Sequence, residues 1–170
     1  MSALRSRGGQ TALEMLFIMA VIFMGGVVVI LPSYMQNNSE VSVLAGIRSV
    51  ASDVASYVSV GVIAENRTEF DCLNDNITAY YDYLSGRFVF EGLKVQNETE
   101  DSMTVLVKFK TLGESNSTVD KELVGAVGEA MVESLKEIRG GFGERDGKLY
   151  YGGIEVVLNV SVNDEWGEFP

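Results

Sequence analysis

The chain contains no histidine among its 170 residues. That excludes Ser–His–Asp triads, histidine general bases and histidine metal ligands. It has one cysteine, Cys72, so neither an intramolecular disulfide nor a cysteine zinc site can form. Three readings of Cys72 stay open: a small buried apolar residue, an intermolecular disulfide or a reactive thiol. Basic residues are scarce, with 13 Lys and Arg against 24 Asp and Glu. Beyond the first seven residues they do not cluster, and the basic stripe that a nucleic-acid partner needs is missing. The glycine pairs at Gly140 and Gly152 lack the spacing of a phosphate loop. Asp71, Asn74, Asp75 and Asn76 do not match an EF-hand calcium loop and read as a solvated turn. These absences leave no recognisable catalytic, metal or cofactor site, and the chain is expected not to be an enzyme.

What is present begins at the N-terminus. Arg5 and Arg7 precede an apolar stretch, and from Met15 to Leu31 no side chain is charged or strongly polar. Counted from Ala12, the segment is 20 residues long and is interrupted only by Glu14. At 1.5 Å per residue this gives about 30 Å of helix, the thickness of a bilayer hydrocarbon core. Basic residues before it and acidic bulk after it predict a cytoplasmic N-terminus and an external remainder. A conventional cleaved secretory signal requires a small-residue site after the run, yet Leu31 is followed by Pro-Ser-Tyr-Met-Gln. A plain single-pass anchor explains the length. It does not explain Glu14 or the Gly8-Gly9-Gln10 step.

The stretch Arg7-Gly8-Gly9-Gln10-Thr11-Ala12-Leu13-Glu14-Met15-Leu16-Phe17 resembles the class III leader of archaeal type IV pilins. The close resemblance covers roughly the first 35 residues. It implies that a prepilin peptidase cuts between Gly9 and Gln10, that residues 1–9 leave as the leader, and that the apolar helix is retained. Glu14 then becomes the fifth residue of the mature chain and sets register by meeting the N-terminus of a neighbouring subunit. Archaellins are relatives, but their leaders usually lack this Leu-Glu pair, which favours a pilus. The resemblance further implies self-assembly into a helical homopolymer, with the membrane, an assembly platform and an ATPase as partners on the way.

After Pro32, which ends or kinks a helix, Val41, Leu44, Ile47, Ala51, Val54, Ala55 and Val58 recur at spacings of three and four. They predict an amphipathic helix over 40–60, the second half of an N-terminal helix over 10–61. Residues 62–170 form the expected extracellular head. Strands are predicted at Phe88–Val95, Met103–Thr111, Lys148–Tyr151 and Ile154–Val162, and a helix over 119–139 with Ser117 and Asp120 as a capping box. The expected fold class is α+β: a long N-terminal pilin helix packed on a small antiparallel β head with one additional helix.

Six of nine asparagines lie in N-x-Ser/Thr sequons: Asn37, Asn66, Asn76, Asn97, Asn116 and Asn159. All follow the apolar run, on the predicted outer side. Asn97 and Asn116 fall in predicted loops, and alternation turns Asn159 to the polar face of its strand. They are candidates for N-glycosylation. The expected function is a structural pilin of a surface filament serving adhesion. Two alternatives stay open: a minor pilin or pseudopilin acting as tip or adhesin, and a membrane-anchored binding domain that never polymerises.

Overall fold

A computed structural model describes residues 4–63, 67–99, 101–138 and 141–170, with side chains omitted for 4–13 and 28–39. The chain divides into two compact units, Met1–Val41 and Ser42–Pro170, and each is described by itself. Helix α1 is assigned over Leu4–Val60, and its side chains are described over two shorter stretches, 14–27 and 40–60. A filament-forming spine running through both is a proposal taken up below, not a feature of either stretch.

The second unit is α+β with a mixed sheet. A 3-10 turn (Thr68–Phe70), α2 (Asp71–Ala79) and α3 (Tyr81–Leu84) precede β1 (Phe88–Glu98) and β2 (Ser102–Thr111). Then come α4 (Ser117–Glu137), β3 (Phe142–Arg145), β4 (Lys148–Tyr151), β5 (Ile154–Val162) and β6 (Glu165–Phe169). The strand order is β1-β2-β5-β4-β3, with β6 paired to β5. The expected antiparallel sheet of four strands is therefore corrected to a mixed sheet of six, in which β2 and β5 run parallel. The reason is topological. A 21-residue helix rises about 31 Å and carries the chain back along the sheet, so β3 sets out in the direction of β2. The β3–β4 and β4–β5 hairpins each reverse it once more, and β5 enters parallel to β2. The expectation of one additional helix is corrected as well. Residues 62–86 carry the 3-10 turn and two short helices, which bury Phe70, Leu73, Ile77 and Leu84.

One core binds this unit together. Val43, Ile47, Val50, Ala51, Val54, Ala55 and Val58 of α1 share it with Leu123, Val127 and Met131 of α4 and with Val105, Val107, Leu158 and Val160 of the sheet. The buried stripe of α1 is shifted from the expected one. Val41 is 66% exposed, and Val43 and Val50 take the inward positions. The interior Val43, Ile47, Val50, Val54 and Val58 hold the spacing of three and four that a helix face requires. Helix α4 also starts differently. Its N-cap is Asn116, whose side chain accepts from the Val119 N–H at 3.5 Å. Asp120 does not close a capping box and is instead fully buried.

Gly128 fixes how closely α4 approaches β6. A Cβ there would lie about 2.3 Å from the Phe169 ring, so the ring itself must move to admit one. Gly128→Ala is expected to cost about 1–3 kcal/mol by overpacking, measured as a lower urea midpoint at unchanged slope. An unchanged midpoint would show that Phe169 swings aside freely.

Candidate functional site

The stretch Glu14–Val27 has no apolar side and polar side, as a surface helix has. Ten of its large apolar residues are more than half exposed, among them Met15 at 68%, Phe17 at 70%, Phe23 at 72% and Met24 at 73%. Glu14 is its one charged residue and is exposed too. Gly25 and Gly26 border open space: a methyl added at either would meet nothing within 4 Å. Monomeric soluble proteins rarely leave so large an apolar surface bare. A helix apolar all round requires lipid or other protein against it.

Only part of the predicted membrane span lies among residues with described side chains. The described part, Glu14–Val27, is shorter than a full crossing. Among the described residues, the stretch long and apolar enough to cross a membrane is Glu40–Val60, with a mean hydropathy of 1.2. Val43, Ile47, Val50, Ala51, Val54, Ala55 and Val58 of this stretch are buried in the core of the head, so that stripe has a partner within its unit, while Val41 and Val60 stay exposed. The apolar surface of 14–27 has none described.

The predicted site residues are not gathered in one place. Gly9, Gln10 and Asn37 fall where side chains are not described, and Asn66 lies outside the described residues. Asn76 is half-buried on α2, within the cluster whose sequence reads as a solvated turn. There Asn74 accepts a hydrogen bond from the Tyr57 hydroxyl at 2.8 Å and donates to Asp71 at 3.3 Å. Asn97 and Asn116 are exposed. Neither lies in an unstructured loop, however: Asn97 is within β1, opposite Thr104, and Asn116 caps α4.

Asn159 differs most from expectation. It does sit on the outer face of β5, but only 7% of it is exposed. β5 is an interior strand with β2 on one side and β6 on the other, and the longer side chains of those neighbours shade a short one between them. Its Nδ2, the atom a glycan would join, donates to Gln96 Oε1 at 2.5 Å. Asn116 caps through Oδ1, and among the described residues its Nδ2 has no hydrogen-bond partner. Glycopeptide mapping of the mature protein is expected to find Asn159 empty, with any glycan on Asn97 or Asn116. A glycan on Asn159 would contradict the packing of β5.

A polar cluster has no counterpart among the sequence expectations. The Asp120 carboxylate accepts from Tyr83 Oη at 2.8 Å, Ser115 Oγ at 2.7 Å and Asn163 Nδ2 at 2.8 Å. Asn163 also donates to Thr111 Oγ1 at 2.7 Å and accepts from the Thr111 N–H at 3.1 Å. The Asn116 N–H donates to Tyr83 Oη at 3.1 Å. The cluster ties α3, the end of β2, the start of α4 and the β5–β6 turn to one carboxylate. Its donors and acceptors are used on each other, which makes it a fastener and not a reacting centre.

Cys72 is half-buried, with Sγ donating to the Ala126 carbonyl at 3.3 Å. Burial raises its thiol pKa above the ordinary value, and the charge of Glu129 raises it further. Such a thiol holds little thiolate at neutral pH, the opposite of an activated nucleophile.

Comparison with known proteins finds no matching family model, no matching curated protein and no matching solved structure.

Proposed function

We propose that this chain is a structural subunit of an archaeal type IV pilus-like surface filament. The observation that carries the proposal is the stretch Glu14–Val27, apolar on every side, with a single carboxylate at its start. That carboxylate lies five residues past the Gly9–Gln10 step. In this reading a prepilin peptidase releases residues 1–9, and residues 10–61 act as one pilin helix. Its first half sits in the membrane before assembly and in the filament core afterwards. Its second half is held by the head.

Leader removal takes Arg5 and Arg7, leaving 11 basic side chains against 24 acidic ones, a formal charge of −13. Heads so charged repel, although physiological salt screens them beyond roughly 8 Å. Attraction therefore comes chiefly from bundling of the apolar helices. Glu14 supports that bundling by register, because a subunit one step out of place leaves a desolvated carboxylate unpaired. Adhesion is the proposed role of the filament, and the exposed sequons Asn97 and Asn116 are its proposed glycan positions.

Shearing filaments from producing cells and identifying their subunits by mass spectrometry tests the proposal. The expected result is this chain in the sheared fraction, in many copies per filament. A few copies per filament would instead mark a tip subunit. Recovery in the membrane fraction alone would indicate an anchored domain that does not polymerise.

A further inference from the structure

The sheet has a core face and an outer face, and the outer face runs against the charge of the chain. Met103, Val105, Val107 and Phe109 of β2 point into the core, while Lys108 and Lys110 are exposed on the other side. The register places Gly92 on one side of Lys108 and Ser161 on the other, with Trp166 beyond Ser161. Trp166 is 64% exposed. Gly92 presents no side chain and leaves open space beside Lys108. Lys94 lies on the same face through its pairing with Leu106. Among the described residues, Lys94, Lys108 and Lys110 take part in no ion pair. Glu168 shares this face beside Trp166, opposite Asn159, and Glu155 is paired with Lys148. Three unpaired lysines against Glu168 still leave the face locally positive in a chain of net charge −11.

A second surface has the complementary character. An open groove of about 270 Å³ lies between α4, the start of α2 and the end of β6. Cys72, Val132 and Phe169 give it apolar walls, and Glu69, Glu129 and Glu133 give it an acidic rim. Glu129 and Glu133 are exposed. Glu69 is paired with Arg67 and Glu133 with Lys136, while Glu129 has no ion-pair partner among the described residues and supplies the rim's free charge.

We propose that the Lys108–Trp166 face of one copy docks into the Glu129–Glu133 groove of a second copy. A buried tryptophan supplies the anchor at such contacts, and opposite charges around it steer and orient the approach. The two surfaces are different patches present on every copy. Their contact is therefore heterologous: each copy offers a face to one neighbour and a groove to another, and the series continues without closing on a single pair. This rests on the filament reading, to which it adds a head-to-head contact independent of the apolar helix. It also gives the acidic heads a specific attraction that offsets their mean repulsion.

The test uses the full chain in detergent at low salt, where each apolar helix is covered by its own micelle. Copies labelled with ¹⁵N are mixed with unlabelled ones and treated with a carbodiimide, which joins lysine to carboxylate. Mass spectrometry is expected to find mixed-label cross-links from Lys108 or Lys110 to Glu129 or Glu133. Lys108→Glu and Trp166→Ala are each expected to weaken self-association about tenfold by sedimentation. The double reversal Lys108→Glu with Glu129→Lys restores it. The proposal is overturned by the absence of these cross-links, by self-association that Lys108→Glu leaves unchanged, or by failure of the double reversal to restore it. It is also overturned if the lysines are shielded from acetylation by an anionic polysaccharide and not by added copies. An uncut N-terminus in the native protein would defeat the filament reading separately, without altering these cross-links.

Discussion

Subunits carrying Glu14→Ala are expected to insert in the membrane and lose their leader normally, yet enter filaments at roughly one hundredth of the native level. Insertion depends on the apolar run, which the change lengthens. The proposed cut, between Gly9 and Gln10, precedes the changed residue. In the proposed filament, assembly depends on what the cut creates, a free α-amino group at Gln10. Four residues of helix span about 6 Å, so the carboxylate of Glu14 and an amino terminus can meet within one chain or between neighbours. Removing the acid leaves the amine unpaired in an apolar bundle, at a cost of about 3–5 kcal/mol. A hundredfold loss corresponds to about 2.7 kcal/mol, just below the lower end of that cost. Immunoblots of sheared filaments against the membrane fraction measure the ratio. Filaments at native abundance would remove Glu14 from the register mechanism while leaving the leader cut intact.

Asp120→Ala is expected to lower the stability of the head by about 2–4 kcal/mol. Asp120 is wholly buried, and its two oxygens receive Tyr83, Ser115 and Asn163. Ser115 is exposed and can turn to water, so its share of the loss is small. Tyr83 and Asn163 are half-buried and keep Thr111 as an alternative partner. Part of their hydrogen bonding survives, which limits the loss to the stated range. Ser115→Ala is accordingly expected to cost under about 1 kcal/mol. Urea unfolding of both variants separates them. Equal midpoints for Asp120→Ala and the native chain would show that the cluster fastens nothing.

Much of the head is legible in the sequence because its segments are strongly periodic. The alternation in Ile154–Val162 and the three-four spacing in Leu123, Val127, Ala130 and Met131 each survive folding. Pairing is less legible. Nothing within Met103–Thr111 or Ile154–Val162 records that they lie side by side and parallel, since that depends on where α4 returns the chain. The two strands absent from the sequence expectations, β3 and β6, have four and five residues, too few to show a period; β4 is as short but is bracketed by the turn pairs Asp146-Gly147 and Gly152-Gly153. The helices of 68–84 carry a readable spacing in Phe70, Leu73 and Ile77, hidden among the polar residues of a short amphipathic turn. Asn159 shows the limit of alternation: it assigns a face correctly, but exposure on that face depends on how many strands flank it. Asp120 reads as a local cap because Ser117 stands three residues before it. Apart from Ser115, its partners Tyr83 and Asn163 lie 37 and 43 residues away. The apolar stretch at 14–27 is the plainest feature in the sequence. The exposure of its described side chains on every side leaves the need for a lipid or protein partner unmet among the described residues of its unit.

The mature N-terminus tests the central claim most directly. The native protein, isolated from cells that produce it, is digested and its N-terminal peptide mapped by mass spectrometry. The account predicts a chain that begins at Gln10, with Arg5 and Arg7 gone and Glu14 as its fifth residue. A chain that still begins at Met1 or Ser2, or one cut after the apolar run, would contradict it.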